Sequence, residues 1–343
     1  MNEKLIKIIE DYRHYLTGEL GFSKETTVGY VSKLKIMLAR LKIENVDEVT
    51  DIVINKRLLD DFWIERQEQR PYKPQTRIAY LSTLKKFLRY LYVRGIIAED
   101  ITDRIKLPKR DILFLEGLNK DEQKRLRQYL AENLKTEVGL RNTALIYFLW
   151  STGCRISEAL RLNCHPDSYI YTGNSKVISG NFHVEDRKTY VHISGKGHKN
   201  RIIRVAPESV MYLNLYLDNR AIRNEILFQN IANNRNKTVK RLTRQGSVQI
   251  MKNLFIAAEI NKTPGLCTHL FRHTAINHWI EQGHTDQEIS EMAGLLSNSI
   301  IIYRNRNKYL TDVFGDKSKT LPKLQDKRLL DIEDKIRRRY YDL

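Results

Sequence analysis

The front of the chain repeats apolar residues at the three- and four-residue steps of an amphipathic helix. The clearest series is Ile78, Leu81, Leu84, Leu88 and Leu91. Lys85, Lys86 and Arg89 fall between these positions and give that helix a basic outer face. Two earlier series are Ile6, Ile9, Tyr12 and Leu16, then Tyr30, Leu34, Met37 and Leu38. Gly21 separates them, and Ser23 is placed to cap the second helix. The pattern predicts a small all-helical domain over residues 1–106.

A charged segment without an apolar period follows. Residues 106–111 read Lys-Leu-Pro-Lys-Arg-Asp, and proline disfavours a continuing helix. We therefore predict a linker over residues 107–117, with a surface loop inside one domain as the alternative.

The pattern beyond the linker is mixed. An apolar run at 145–150 predicts a buried helix, and helical periodicity returns over 247–309. Between them, apolar stretches at 190–193 and 202–205 flank a basic turn and predict a β-hairpin. The expected fold class is mainly α with a small antiparallel β-sheet, in two domains, the second covering residues 118–315.

Residues 316–343 form a charged tail that still carries one apolar stripe at helical spacing. The stripe comprises Leu329, Ile332, Ile336 and Tyr340. A helix with a single apolar stripe has to cover it against another surface. That surface belongs either to the same chain or to a neighbouring subunit, and the pattern is compatible with both.

The 343 residues include 59 Lys and Arg against 41 Asp and Glu, a formal net charge of +18. Such a surplus favours a polyanionic partner, because cations that neutralise phosphates release condensed counterions. The hydrophobic fraction of 41% is enough for two cores and argues against a disordered basic protein. No apolar run is long enough for a membrane span, and the charged first residues do not resemble a signal peptide. Three scattered cysteines indicate neither a disulfide framework nor a cysteine zinc site. We expect a cytoplasmic protein.

Reactive side chains first cluster directly after the apolar run. Gly153 frees the backbone to turn, and Arg155 and Glu158 begin the next helix. The alternative interpretation is a solvated ion pair worth about 0.3 kcal/mol.

The second cluster is the basic turn of the predicted hairpin, with Lys196, Lys199 and Arg201 among glycines. It suits contact with phosphate, or else is a solvated loop. The Walker A pattern is absent, so nucleotide hydrolysis has no support.

The third cluster contains His269 and Arg272, which are three apart and therefore share a helix face. A guanidinium there can hold two phosphate oxygens while an imidazole exchanges a proton. The alternative is a zinc pair of His269 and His273, which lacks an adjacent Glu and an obvious third ligand. Tyr303 follows downstream and could otherwise be a core aromatic residue, because three isoleucines precede it.

In series, these motifs resemble the tyrosine recombinase (phage integrase) family. The matching segments are Thr-Gly-x-Arg-x-x-Glu at 152–158, Gly-Lys-Gly-x-Lys-x-Arg at 195–201, His-x-x-Arg-His-Thr at 269–274, and Tyr303. Residues 76–95 resemble the last helices of the family's core-binding domain. The resemblance implies two domains that clamp duplex DNA, a core-binding domain at 1–106 and a catalytic domain at 118–315.

The resemblance also implies a role for each matching residue. Arg155 and Arg272 would bind the scissile phosphate, and Lys196 would protonate the leaving 5′ oxygen. His269 would take part in proton transfer, and Tyr303 would be the nucleophile that forms a 3′-phosphotyrosine. This chemistry requires no metal, no ATP and no other cofactor.

The implied function is site-specific recombination of double-stranded DNA. Such enzymes pair on inverted-repeat sites and assemble as a homotetramer, with residues 316–343 as the candidate segment for docking on the next subunit. Alternatives are a type IB topoisomerase that relaxes supercoils and a DNA-binding relative that has lost catalysis.

Three departures from the family pattern bear on this prediction. Leu295 stands where family members commonly carry His or Trp, and its side chain cannot donate to phosphate. Arg272 and Tyr303 are 31 positions apart, about one fewer than is usual in the family, so Tyr309 is a minor alternative nucleophile. Residues 166–187 look like an inserted loop and strand.

Overall fold

The computed structural model describes residues 1–64, 72, 74–108, 117–164, 180–195, 200–231, 239–262, 267–295, 299–301 and 303–304. The chain divides into two compact units, Met1–Leu113 and Phe114–Leu343. The division falls among residues 109–116, which lie outside the described residues.

The first unit is helical wherever it forms regular structure within the described residues. Its helices are α1 Glu3–His14, α2 Lys24–Arg40, α3 Asp51–Ile54, α4 Lys56–Ile64 and α5 Pro74–Val93. A π-helical turn, Tyr15–Glu19, extends α1. Short 3₁₀ turns lie at Asp47–Val49 and Thr102–Arg104. One continuous apolar core joins these elements.

The helical predictions for this unit are confirmed, with one correction of register. All five apolar residues of the α5 series are buried, and the Ser23 side chain caps α2 by accepting from the Thr26 backbone N–H. Ile6 was predicted to face the core, but it is 44% exposed. Leu5 is buried instead, because the inward face of α1 continues through Ile9 and Tyr12 at four- and three-residue steps.

The second unit combines seven helices and three strands among its described residues. In chain order they are α6 Lys120–Glu132, α7 Glu137–Thr152, α8 Ile156–Ala159, β1 Phe182–Glu185, β2 Lys188–Ser194, β3 Asn200–Val205, α9 Pro207–Asn219, α10 Arg244–Ala257, α11 Cys267–Glu281 and α12 Asp286–Ala293. The sheet is antiparallel with the order β1-β2-β3. The mainly α class with a small sheet is therefore confirmed.

The predicted hairpin is present as β2 and β3. Its register pairs Ser194 with Asn200 and Ile193 with Arg201. β1 is an additional strand inside the segment that looked like an insertion, and the turn at Asp186 and Arg187 joins it to β2 with both residues at positive φ. Such a two-residue turn matches the twist of the strands that it connects.

Two apolar clusters stabilise the second unit. The large one centres on α7, which buries most of its length, as the apolar run at 145–150 predicts. A smaller cluster lies between α11, α12 and the segment around Tyr303. Its members are Ala275, Ile276, Trp279, Ile289, Ala293, Ile300 and Tyr303.

Several predictions fall outside the described residues. They concern Lys196 and Lys199 in the basic turn, the alternative nucleophile Tyr309, and the tail at 316–343 with its apolar stripe. No helix in the described ranges has the length and apolarity needed to cross a membrane.

Candidate active site

The site is built around the sharp turn that ends α7. Gly153 adopts φ +56°, a left-handed conformation that glycine tolerates and other residues adopt at a cost. A Cβ at this position would lie 2.8 Å from the Trp279 ring and 3.2 Å from the Ala275 Cβ. The glycine is therefore required twice, for its backbone angle and for the close approach of α11.

The turn delivers Arg155 to the first position before α8. Its backbone N–H donates to Glu158 Oε2 at 2.8 Å, and its Nη1 donates to Glu158 Oε1 at 3.0 Å. Glu158 is only 6% exposed, so the alternative of a solvated surface pair is wrong for this carboxylate. The Arg155 side chain remains 34% exposed and can reach a ligand from solvent.

Arg201 on β3 is the second partner of Glu158. Its Nη2 lies 2.6 Å from Glu158 Oε2, and its Nε donates to the Met292 carbonyl at 3.1 Å. Burial alone would raise the pKa of Glu158, but hydrogen bonds from Arg201 and Arg155 outweigh it and hold that pKa below its ordinary value. The carboxylate is therefore ionised at neutral pH and ties the sheet to α8.

Arg272 on α11 is 3% exposed and is held by main-chain carbonyls. Its Nη1 donates to the Gly153 carbonyl at 2.8 Å, and its Nη2 donates to the Ala293 carbonyl. These bonds use two of the five N–H groups of a guanidinium. Burial lowers the pKa of Arg272 to about 10, and the positive charges of Arg155 and Arg201 act in the same direction. The group is still a cation at neutral pH.

The four charged groups leave a positive balance. Three guanidinium groups against one carboxylate amount to two net positive charges. Attack on a phosphodiester builds additional negative charge on the nonbridging oxygens, and cations fixed in advance stabilise that charge. The arrangement suits a phosphoryl-transfer transition state better than an electroneutral ligand.

His269 lies one helical turn before His273 on α11, and their rings are 6.3 Å apart. Burial, followed by the charges of Arg272 and Arg244, lowers the pKa of His269 below its ordinary value. The imidazole is therefore neutral at neutral pH and can accept a proton. Among the described residues no group of three His, Cys, Asp or Glu side chains could hold a metal ion, so the zinc-pair alternative gains no third ligand there.

Tyr303 is packed in the core by its ring and is hydrogen-bonded at its hydroxyl. Its ring packs in the small apolar cluster and is 3% exposed, whereas its hydroxyl lies 2.7 Å from His273 Nδ1. Burial raises the pKa of Tyr303 to about 12, and the charge of Arg272 opposes that rise. The phenol is a core residue whose hydroxyl oxygen is hydrogen-bonded to His273 and is influenced by the charge of Arg272.

Leu295 packs its half-buried side chain against the same small cluster. Its backbone closes the end of α12, since its N–H donates to the Ser290 carbonyl and its own carbonyl accepts from Ser290 Oγ. At this position the chain contributes packing and backbone bonds, as expected of a side chain without polar atoms.

The sequence predictions missed the roles of two residues. The sequence places Arg201 in a basic turn but does not reveal its bond to Glu158. Pairing with Ile193 fixes Arg201 at the start of a strand that faces α8 and α12. The spacing of His273 from His269 suggests a zinc ligand, whereas the structure places it against the Tyr303 hydroxyl. The sequence around His273 does not indicate this contact, because 30 residues separate His273 from Tyr303.

Comparison with known proteins identifies related sequences over most of the chain. The model of the phage integrase family matches residues 116–309, and that of the phage integrase N-terminal SAM-like domain matches residues 9–95. A protein named tyrosine recombinase XerD from Oceanobacillus iheyensis is 27% identical over 289 residues, covering 83% of this chain and 89% of that protein. A protein of the same name from Listeria monocytogenes is 26% identical over 84% of this chain and 89% of its own.

Solved structures share the fold at low sequence identity. XerH site-specific recombinase, bound to a palindromic difH substrate, matches with a TM-score of 0.58 and 18% identity over 84% of this chain and 78% of that one. A lambda integrase dimer bound to a COC′ core site matches with a TM-score of 0.54 and 14% identity over 93% of this chain and 98% of that one. These likenesses concern architecture alone.

Proposed function

This chain belongs to the phage integrase family, and from that premise we propose that it is a site-specific recombinase that cuts and rejoins duplex DNA through Tyr303. The observation that carries the proposal is that the Arg272 guanidinium donates to the carbonyl of Gly153, two residues before Arg155, while the adjacent His273 contacts the Tyr303 hydroxyl. These residues come from three distant segments of the chain. Burying the Arg272 guanidinium beside other cations costs free energy, and a bound phosphate would offset that cost. A role in packing alone does not require such an arrangement.

In the proposed reaction, Arg155 and Arg272 bind the nonbridging oxygens of the scissile phosphate. A guanidinium presents paired N–H groups to two oxygens at once. Glu158 and the carbonyls of Gly153 and Ala293 fix these groups before DNA arrives, so little reorganisation is needed as charge develops.

Tyr303 is proposed as the nucleophile and Lys196 as the donor of a proton to the leaving 5′ oxygen. The Tyr303 oxygen bonds to phosphorus as the bond to the 5′ oxygen breaks, which gives a 3′-phosphotyrosine and a free 5′ hydroxyl. His269 is proposed to assist proton transfer, supported by its neutral state beside the arginines. The phosphotyrosine conserves the energy of the broken ester, so rejoining needs no ATP.

The remaining predictions extend this proposal to partners and assembly. The partner is double-stranded DNA with inverted-repeat sites, on which the protein acts as a homotetramer in the cytoplasm. Residues 1–106 would bind DNA, 107–117 would link, 118–315 would catalyse, and 316–343 would dock on a neighbouring subunit. The net charge of +18 supports the DNA partner. The lambda integrase tetramer on a Holliday junction, a neighbour with a TM-score of 0.54, has the proposed assembly.

The decisive experiment traps the covalent intermediate. A duplex is first selected from a randomised pool by binding to Tyr303→Phe, and a nick is then placed beside the cleavage position so that the released fragment diffuses away. Wild-type protein should form a DNA adduct that survives denaturation, and Tyr303→Phe should form none while it still binds.

The alternatives give different results in the same assay. A wild-type protein that binds the duplex without forming an adduct would be a binding-only relative, and the proposed function would be wrong. Relaxation of supercoils by a monomer on DNA without a paired site would identify a topoisomerase. An adduct that persists in Tyr303→Phe would move the nucleophile to another residue, with Tyr309 as the first candidate.

A further inference from the structure

A second histidine at the site, His273, contacts the proposed nucleophile directly. His273 Nδ1 lies 2.7 Å from the Tyr303 hydroxyl, with the two ring centroids 5.6 Å apart. His273 is half-buried on α11, directly after Arg272. The same helix therefore presents one residue to the proposed phosphate site and the next to the nucleophile.

The nucleophile needs such a partner. Tyr303 is 3% exposed and lies among apolar side chains, so water has little access to its hydroxyl. An unperturbed phenol is already protonated at neutral pH, and burial makes the phenolate harder to form. A phenol that attacks phosphorus from this position therefore has to give up its proton to a neighbouring group.

The geometry points to His273 as the general base that takes the proton of Tyr303 during cleavage. This inference rests on the proposed function. In a neutral imidazole with its proton on Nε2, Nδ1 is an acceptor, and 2.7 Å is hydrogen-bonding distance for the transfer.

The step balances without any further reactant. As the Tyr303 oxygen forms its bond to phosphorus, its proton passes to Nδ1 and His273 becomes an imidazolium. The bond to the 5′ oxygen breaks, and that oxygen takes a proton from its own donor, for which Lys196 is proposed. In rejoining, the 5′ hydroxyl returns its proton to that donor as its oxygen attacks phosphorus, and the departing Tyr303 oxygen recovers its own proton from His273. One residue thus serves as base in cleavage and as acid in rejoining.

The test measures adduct formation in single turnover on the nicked duplex selected with Tyr303→Phe. His273→Gln retains much of the side-chain volume and a polar end but has no basic nitrogen. Removing a general base costs about 10²- to 10⁴-fold in rate, so we expect His273→Gln to cleave at least about 100-fold more slowly than wild type. His278→Gln is the matched control, since His278 is exposed on the same helix, and it should cleave at the wild-type rate.

A fluorinated tyrosine at position 303 separates proton removal from simple positioning. Fluorine on the ring makes the phenol more acidic, so its ionisation depends less on a base. The deficit caused by His273→Gln should therefore shrink to less than about 10-fold when both proteins carry the fluorinated residue. A structural role for His273 would leave that deficit unchanged.

Each other result overturns the inference. A His273→Gln protein that cleaves at the wild-type rate shows that no base is needed there, and one that cleaves faster shows that the contact restrains Tyr303. An equal deficit with tyrosine and fluorotyrosine assigns His273 to positioning alone. Duplex binding by each variant at wild-type affinity verifies that it is folded. Absence of an adduct with the wild-type protein would instead reject the proposed function.

Discussion

The two sides of the candidate site are held in different ways. On the arginine side, Arg155, Arg201 and Arg272 are fixed by a buried carboxylate and by three main-chain carbonyls. On the tyrosine side, Tyr303 is held by a small apolar cluster and by its hydroxyl contact with His273. Directional charged bonds dominate the first side, and non-directional packing dominates the second.

In the proposed reaction, this difference assigns separate roles to the two sides. Groups that stabilise developing charge act best when they are oriented in advance, and the arginine side has that property. A nucleophile has to approach phosphorus along a defined line, and a residue held largely by packing can shift with less loss of bonding. We expect the arginine side to tolerate substitution poorly and the tyrosine side to be more adaptable around its one reactive oxygen.

The largest expected effect comes from removing the centre of the arginine side. Arg272→Ala deletes a cation next to the proposed phosphate position, and loss of even one transition-state donor costs about 10²- to 10³-fold in rate. We expect adduct formation to fall by at least about 10³-fold, with duplex binding reduced far less because many other cations would also contact the DNA. Rate and binding are measured on the same selected duplex.

Arg272→Lys separates the effect of the positive charge from that of the hydrogen-bond geometry. Lysine retains the charge but cannot reach both the Gly153 and Ala293 carbonyls with a planar fork. If the lysine variant cleaved like wild type, charge alone would matter and the fixed geometry would not.

Glu158→Gln should produce the next largest effect. It leaves Arg201 and Arg155 without their buried counter-charge, and breaking one partner of such a pair costs about 3 kcal/mol. The measurement is the free energy of unfolding from denaturant titration, with Glu281→Gln, exposed on α11, as the neutral control. Equal stability of the two variants would contradict the role given to the ion pair.

The ion pair of Glu158 also affects how the stability of the protein depends on pH. Because the pKa of Glu158 is lower in the folded protein, the unfolded chain binds its proton first as the pH falls. The stabilisation is complete above the ordinary pKa of a glutamate and is lost as the pH drops through the lower folded value. Glu158→Gln should remove this part of the acid dependence, so its stability should fall less steeply in that window than that of wild type.

Gly153→Ala tests the turn that supports the arginine side. The alanine would be strained at φ +56° and would press on Trp279, for a total destabilisation of about 3 kcal/mol. Gly95→Ala supplies the comparison, since Gly95 has φ +66° but no other atom within 4 Å of where a Cβ would lie, and it should lose only about 1 kcal/mol. Equal losses at the two positions would mean that the contact with Trp279 relaxes freely.

The smallest effect is expected on the tyrosine side. Ile300→Val removes one methyl group from the cluster around Tyr303 and should cost about 1 kcal/mol in stability. The rate of adduct formation should change less than it does in Arg272→Ala, Glu158→Gln or Gly153→Ala. Ile301→Val, at an exposed neighbouring position, is the control. A loss of cleavage as large as that of Arg272→Ala would show that the tyrosine side is as finely positioned as the arginine side.

Much of the fold could be predicted because local pattern determines it. The five-residue series of α5, the cap at Ser23 and the hairpin all follow from spacing within a few residues. The error at Ile6 arose because two adjacent apolar residues made the inward face of α1 ambiguous. The sequence indicates a strand within residues 166–187 but not its bounds, because the four residues of β1 are too short for a distinct alternation.

The site was harder to predict because it is assembled from distant segments. The motifs pointed to Arg155, Arg272 and Tyr303, but no local pattern indicated that Arg201 would share Glu158 or that His273 would meet a tyrosine 30 residues away. Those contacts depend on how β3 and the segment after α12 pack against α8 and α11. Lys196 lies outside the described residues, and its role stays a prediction.

The carbonyls of Met292 and Ala293 offer a different kind of constraint from that of a side chain. A carbonyl oxygen is supplied by every amino acid, so related proteins could exchange the residues at these two positions and retain the same bonds to the arginines. Adding or deleting a single residue between them and Tyr303 would shift the proposed nucleophile relative to those bonds. In related proteins, the number of residues between the end of α12 and this tyrosine should therefore vary less than the identity of those residues.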